Sequence, residues 1–196
     1  MILKHRMLEF LINNAHKEIR QSIIHTMCNA TPAYACKLLK ELKSKGIIEK
    51  NYRNTIKVIN PLMLCFLLAY EKKLPKPAMF KTTNYKNVMS VLQNTIYSFT
   101  LGTAVKIREN NQPSIIYAYV LGKDMQLLEK EFTRTRRNPD MVIYPADSFK
   151  FLKQELVNNV FTATLPDLFT DFLRAGKTSE AFRLAKKYKL FRNIIQ

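Results

Sequence analysis

The segment that begins at Thr31 constrains the fold of this chain most, because both ends of one helix are marked within it. Thr31 is a good N-cap, and Pro32 suits the first helical position, where its missing N–H costs nothing. Gly46 is typical of the residue just after a helix, since it accepts a positive φ. The apolar residues between these marks recur at helical spacing and predict a buried face made of Ala35, Leu38, Leu39 and Leu42.

The residues around this helix predict the rest of a small domain. Leu8, Leu11, Ile12 and Ala15 are spaced as one helix face, and the same spacing at Ile19, Ile23, Ile24 and Met27 predicts a second helix. After Gly46, residues 47–48 predict a short strand, 51–54 a polar turn and 56–58 a returning strand. Three helices closed by a two-stranded ribbon are typical of a winged helix-turn-helix, although similar units also serve as protein-interaction modules.

A second, larger domain is expected after residue 77. Pro61 can open a helix over 62–73, and Leu74-Pro75-Lys76-Pro77 is a stiff, extended connector. The predicted domains are therefore 1–74, the winged helix-turn-helix with a trailing helix, and 78–196, a mixed α/β domain, which makes the fold class α+β. Within 78–196, the patterning predicts strands at 79–81, 115–121, 141–144 and 160–162, and helices around 88–92, 98–107, 125–132, 165–175 and 179–191.

Charge indicates the kind of partner. The chain carries 32 Lys and Arg against 15 Asp and Glu, a formal charge of +17, and residues 1–60 hold 11 basic and 4 acidic side chains, a net +7. Such an excess favours a polyanion, either nucleic acid or an anionic membrane surface, unless the whole proteome is basic. The longest apolar run, residues 62–70, is too short to span a bilayer, and the first residues lack the pattern of a signal peptide. We therefore expect double-stranded DNA as partner, no membrane association and a cytoplasmic location.

In a winged helix-turn-helix, the third helix enters the major groove and its first residues reach base edges or phosphates. The face opposite the apolar stripe carries lysines suited to phosphate or guanine, a tyrosine that can donate to phosphate and an alanine that fits a thymine methyl group. In the turn of the wing, one arginine suits the minor groove or the backbone. The candidate DNA-binding residues are Thr31, Ala33, Tyr34, Lys37, Lys40 and Arg53.

Catalytic and metal-binding patterns are sparse. His5, His16 and His25 form no i, i+4 pair, and Cys28, Cys36 and Cys65 form no C-x-x-C pair, so neither a zinc site nor a disulfide framework is expected. Asp167 and Asp171 lie one helical turn apart and could hold a metal, but Asp167 also suits a helix start. The group Arg134, Arg136 and Arg137 suits phosphate or an exposed strand face equally well. We therefore predict that the chain is not an enzyme and has no cofactor, metal or catalytic residue.

The chain resembles the AbiEi-type antitoxins and transcriptional regulators of type IV toxin–antitoxin systems in bacteria and archaea. The resemblance covers AYACKLLKELKSKGIIEKNYRNTIKVINPLMLCFLLA, continues through FTLGTAVKI, IIYAYVL, DMQLLEKEF and MVIYP, and is clearest in TATLPDLFTDFLRAGKTSEAFRLAKKY. One departure is Arg-Arg-Asn-Pro in place of a Gly-rich turn before MVIYP. The resemblance implies a repressor of its own operon that counteracts a nucleotidyltransferase-like toxin without a stable complex.

Two other classes remain open from the sequence. The first is a nucleic-acid-processing enzyme that uses a winged helix for targeting. The second is a chromatin-like protein that binds DNA without sequence preference.

Overall fold

The computed structural model describes residues 2–82 and 84–191 and shows a mixed α+β protein. Its described elements, in chain order, are α1 (Leu3–Asn13), β1 (Ile19–Arg20), α2 (Gln21–Met27), α3 (Pro32–Ser44), β2 (Ile48–Lys50), β3 (Thr55–Val58), α4 (Pro61–Glu71), β4 (Ala78–Lys81), α5 (Tyr85–Leu92), β5 (Tyr97–Phe99), α6 (Leu101–Arg108), β6 (Ile116–Leu121), α7 (Met125–Glu131), β7 (Thr133–Arg134), β8 (Met141–Ala146), β9 (Gln154–Val157), β10 (Val160–Ala163), α8 (Leu165–Arg174) and α9 (Thr178–Lys187).

These elements are divided between two compact units. The first unit contains the chain up to Lys73 together with the residues from Leu165 onward, and the second unit runs from Leu74 to Thr164. The break after Lys73 lies beside the Pro-Lys-Pro connector. The C-terminal limit differs from the predicted 78–196, because α8 and α9 belong with the first unit. The second unit is therefore an insertion between α4 and α8.

Helix α3 has the bounds that its end signals predict. The Thr31 Oγ1 accepts a hydrogen bond from the Tyr34 N–H at 3.3 Å, and Gly46 follows the helix with φ +65°. The predicted apolar face is buried, and Leu42 is fully so. Strands β2 and β3 then pair antiparallel, with Ile48 opposite Val58, so the predicted ribbon is confirmed.

The predicted second helix is only partly correct. Ile19 lies in β1 and pairs with Ile56, which gives a three-stranded sheet in the order β1-β3-β2. Of the remaining predicted stripe only Ile24 is buried, whereas Ile23 and Met27 are about half exposed, at 46% and 47%. The physical reason is non-local. Without β1, the backbone N–H and C=O groups along one edge of β3 would lack partners, and the extended backbone at 19–20 pairs with that edge.

A seven-stranded mixed sheet forms the second unit, in the order β7-β4-β8-β6-β5-β10-β9. β6 and β8 pair in parallel at its centre and have buried residues on both faces. The helix predicted over 98–107 is wrong at its start, because 97–99 form β5 between β6 and β10, and α6 begins at Leu101. Residues 97–99 form a strand because a short apolar run is equally compatible with a buried strand. The terminal strand β9 was not predicted.

Polar contacts join α8 to the rest of the first unit. The Arg174 guanidinium donates to the carbonyls of Lys72 and Lys73 at 2.6 and 3.0 Å, and it pairs with the Asp171 carboxylate at 3.0 Å. The Asn13 amide of α1 donates to Asp167 Oδ1 at 3.0 Å. Both aspartates are buried, so these contacts are made out of water. They hold α8 to the end of α1 and to the end of α4.

Candidate nucleic-acid interface

The outer face of α3 is cationic, as its spacing predicts. Ala33, Lys37 and Lys40 are exposed, and Lys43 extends the same face toward the end of the helix. Thr31 is exposed at the start of α3, where its side chain caps the helix. This face therefore offers ammonium groups on a straight helix that starts at a fixed position.

Tyr34 lies on a flank of α3 and is only half exposed. It lies near enough to Lys4 to act on that group electrostatically, and the Lys4 ammonium pairs with Glu71 at 2.7 Å and approaches Glu41 at 3.9 Å. The hydrogen bond with Glu71 is the main reason that the pKa of Lys4 is raised, and Glu71, Glu41 and Tyr34 add to it electrostatically. The structure thus separates Tyr34 from the outward lysines with which the sequence analysis grouped it.

The β2–β3 turn is braced by hydrogen bonds and presents Arg53 to solvent. Asn54 has φ +54°, a conformation that asparagine tolerates, and its carbonyl accepts from the Gln21 N–H at 3.0 Å. The Glu18 carboxylate accepts hydrogen bonds from the Asn51 amide and the Thr55 hydroxyl, at 3.1 and 3.0 Å. These bonds fix the β2–β3 turn against Glu18 and the start of α2.

A basic cleft opens between this turn, the start of α2 and the start of α3. It has a volume of about 370 Å³ and is lined by Arg20, Gln21, Ser22, His25, Pro32, Lys50, Arg53 and Asn54. Three of these eight described lining residues are Arg or Lys, and none is Asp or Glu. Lys50 Nζ is steadied by the Gln21 side-chain oxygen at 2.8 Å.

The chemistry of the basic cleft is that of an anion site. Two arginines and one lysine line a cavity large enough for a phosphate, and arginine binds phosphate oxygens in a bidentate way. Among these cations the sequence analysis identified only Arg53. Arg20 was missed because the pairing of β1 with β3 brings it beside the turn, and no local pattern announces that pairing. Lys50 directly precedes the turn in the chain and was not selected from the sequence.

The other groups weighed from the sequence have structural partners. Asp171 is fully buried against Arg174, and Asp167 accepts a hydrogen bond from Asn13. Arg134 pairs with Glu129, while Arg136 and Arg137 are exposed in a turn of the second unit. Burial raises the pKa of the Cys28 and Cys65 thiols to about 12, so both stay protonated near neutral pH.

Over the described residues, no group of three or more His, Cys, Asp or Glu side chains is arranged to hold a metal ion. In the same part of the chain, no helix has both the length and the apolar character needed to cross a bilayer.

Comparison with known proteins found no matching family model, no matching curated protein and no matching solved structure.

Proposed function

We propose that this protein is a sequence-specific, DNA-binding transcription regulator whose first unit contains a winged helix-turn-helix. The observation that carries the proposal is the basic cleft, which Arg20, Lys50 and Arg53 line beside the start of α3. A duplex presents its phosphates in two rows on either side of each groove. A protein that reads the major groove with α3 needs cations at this position, where a phosphate row passes.

The proposed binding mode assigns a role to each part of the surface. α3 enters the major groove, where Lys37 and Lys40 reach guanine edges or phosphates and Ala33 contacts a thymine methyl group. The cleft cations hold one backbone phosphate and set the register. Arg53 lies at the exposed tip of the wing, so it also reaches the adjacent minor groove or backbone.

We further propose that the regulator is the autoregulating antitoxin of a toxin–antitoxin pair. This part depends on the resemblance to the AbiEi-type proteins, which implies a nucleotidyltransferase-like toxin as functional partner. Where the adjacent gene encodes a nucleotidyltransferase-like toxin, co-expression of the two proteins should relieve the growth arrest that the toxin causes. An Arg20→Ala/Arg53→Ala double variant should still relieve it, because neutralisation would not require DNA binding. Loss of relief in that variant would contradict two separable roles.

Salt dependence tests the DNA-binding proposal on the full chain. The slope of log affinity against log salt should be steep, about −0.9 for each phosphate contacted. Arg20→Ala and Arg53→Ala should each make it shallower by about one contact, since each removes a cation from the cleft. Lys153→Ala is the matched control, because it removes one exposed positive charge in the second unit. A slope that the cleft variants leave unchanged, or no affinity for duplex DNA, would overturn the proposal.

Sequence preference separates a regulator from a chromatin-like protein. The preferred duplex is first selected from a random pool, and affinity for it is compared with that for shuffled DNA. Lys37→Ala should reduce this discrimination by about 1–3 kcal/mol, the value of a lost base contact. Tyr34→Ala should reduce it less, because Tyr34 lies on the flank near Lys4. Equal affinity of the unaltered chain for every duplex would favour the chromatin-like alternative.

A further inference from the structure

Helix α4 is apolar on all sides, yet only part of it is buried. Its residues from Pro61 to Tyr70 include no charged side chain, in a chain whose net charge is +17. Leu64, Cys65 and Leu68 are buried, and the helix contacts α1 and α8. A helix that is hydrophobic all round is normally covered all round. The covering of the outer face of α4 is therefore incomplete.

The uncovered side is one continuous surface, which we call the α4 stripe: Met63, Phe66, Leu67 and Tyr70. Their spacing places these four residues on one face of the helix. Tyr70 is 89% exposed, Met63 49% and Phe66 38%. The stripe continues onto α9, because the Phe66 ring lies 6.3 Å from that of Phe182, which is also 38% exposed.

We propose that the α4 stripe is the contact surface between two copies of this chain. Charge argues for a second copy: elsewhere on a +17 molecule two copies repel, whereas this helix carries no charge along ten residues. Residues 61–70 contain no Lys or Arg, which a membrane-surface helix would carry beside its apolar face, and Lys72 and Lys73 follow only after α4 ends. A two-fold axis through the stripe sets the same apolar surface against itself, the commonest arrangement in homodimers.

The exposed area predicts how strong such a dimer is. At about 200 Å² for each large side chain, the exposed fractions of Met63, Phe66, Tyr70 and the adjoining Phe182 leave about 430 Å² on each copy and about 860 Å² in total. Interfaces below about 1,200 Å² belong to weak, transient complexes. The dimer should therefore dissociate on dilution in the micromolar range.

The α4 stripe shares no residue with the basic cleft or with the outer face of α3. The cleft is built by α2, the start of α3 and the β2–β3 turn, and α4 contacts α1 and α8 instead. Dimerisation can therefore be measured without DNA, and its failure would leave the proposed DNA binding untouched.

Sedimentation velocity of the full chain, from low micromolar to a few hundred micromolar, tests the proposal. The sedimentation coefficient should rise with concentration toward that of a dimer. Raising NaCl from about 0.1 to 0.5 M should strengthen association, because salt screens repulsion between two +17 molecules and this interface lacks ion pairs to weaken. This salt dependence of self-association is opposite in sign to the salt dependence expected for DNA binding.

Tyr70→Glu should raise the dimer dissociation constant at least about tenfold, because it places two like charges in an apolar interface. Leu152→Glu is the matched control, since it introduces the same charge at a residue that is 59% exposed in the second unit. Met63→Glu is the second test, and circular dichroism verifies that each variant is folded. A monomer at every concentration and salt level, a dimer that both stripe variants leave intact, or binding to vesicles without dimerisation would overturn the proposal.

Discussion

His5 illustrates at the residue scale how an ionisable group in the first unit is held. It is 7% exposed, and its Nε2 lies 4.0 Å from a Glu71 carboxylate oxygen. Burial lowers the pKa of His5, and Lys72 and Arg174 lower it further, while Glu71 and Glu9 oppose them. The neighbouring Glu9 carboxylate pairs with Lys72 at 2.7 Å. His5 is therefore held in its neutral form among groups that are themselves paired.

This arrangement predicts a pH-dependent stability. Because the folded chain binds a proton on His5 less readily than the unfolded chain, this contribution is complete above about pH 6.5 and is lost as pH falls below it. The free energy of unfolding, measured with urea between pH 5 and 7.5, should fall toward acid. His5→Gln should flatten the curve, and His16→Gln, which replaces an exposed histidine, should not. A slope unchanged in His5→Gln would show that another group sets it.

At the scale of the element, α3 is the helix on which the proposed DNA recognition depends, and Gly46 decides where it ends. Its φ of +65° lies in the left-handed region, and no atom lies within 4 Å of the position that a Cβ would take. The site therefore excludes larger residues through backbone strain and not through crowding. The carbonyl of Leu42 accepts a hydrogen bond from the Ile47 N–H at 3.0 Å, and the chain continues directly into β2.

Two alanine substitutions test that reading of Gly46 with opposite expected signs. Gly46→Ala should lower the free energy of unfolding by about 1–2 kcal/mol, the cost of a left-handed residue with a Cβ. Gly102→Ala in α6 is the control, because that glycine also has open space but lacks a positive φ. It should leave stability unchanged or raise it by up to about 1 kcal/mol. Equal effects in chemical denaturation would contradict the backbone explanation.

At the scale of the whole molecule, the first unit is assembled from two distant parts of the chain. Leu168, Phe169 and Phe172 of α8 are buried, and α8 contacts α1 and α4. The Arg174 contacts to the end of α4 join the same two parts. A cut at the connector would therefore separate a helix from the surface it covers.

Truncation tests this assembly. A fragment of residues 1–74 should aggregate or melt well below the full chain, because it exposes the apolar faces of α1 and α4 that α8 covers. Residues 1–73 joined to 165–196 by a flexible Gly/Ser linker should fold and keep salt-dependent binding to duplex DNA. Thermal unfolding by circular dichroism and DNA titration measure the two outcomes. A stable fragment 1–74 that binds DNA as tightly as the joined form would contradict this account.

The sequence by itself determined the elements whose causes are local. Thr31, Pro32 and Gly46 act within one or two helical turns, so the bounds and the buried face of α3 could be predicted. The outward positions of Lys37 and Lys40 follow from the same periodicity, and that of Arg53 follows from the polar turn at 51–54.

Only the tertiary structure decided the features that depend on distant partners. Ile19 is extended because β3 needed an edge partner, and that pairing brings Arg20 beside Lys50 and Arg53. α8 joined the first unit because α1 and α4 offered an apolar face and buried polar partners more than ninety residues away. Hydrophobic periodicity predicts that one face of a helix or strand is buried, but it does not predict which part of the protein covers that face.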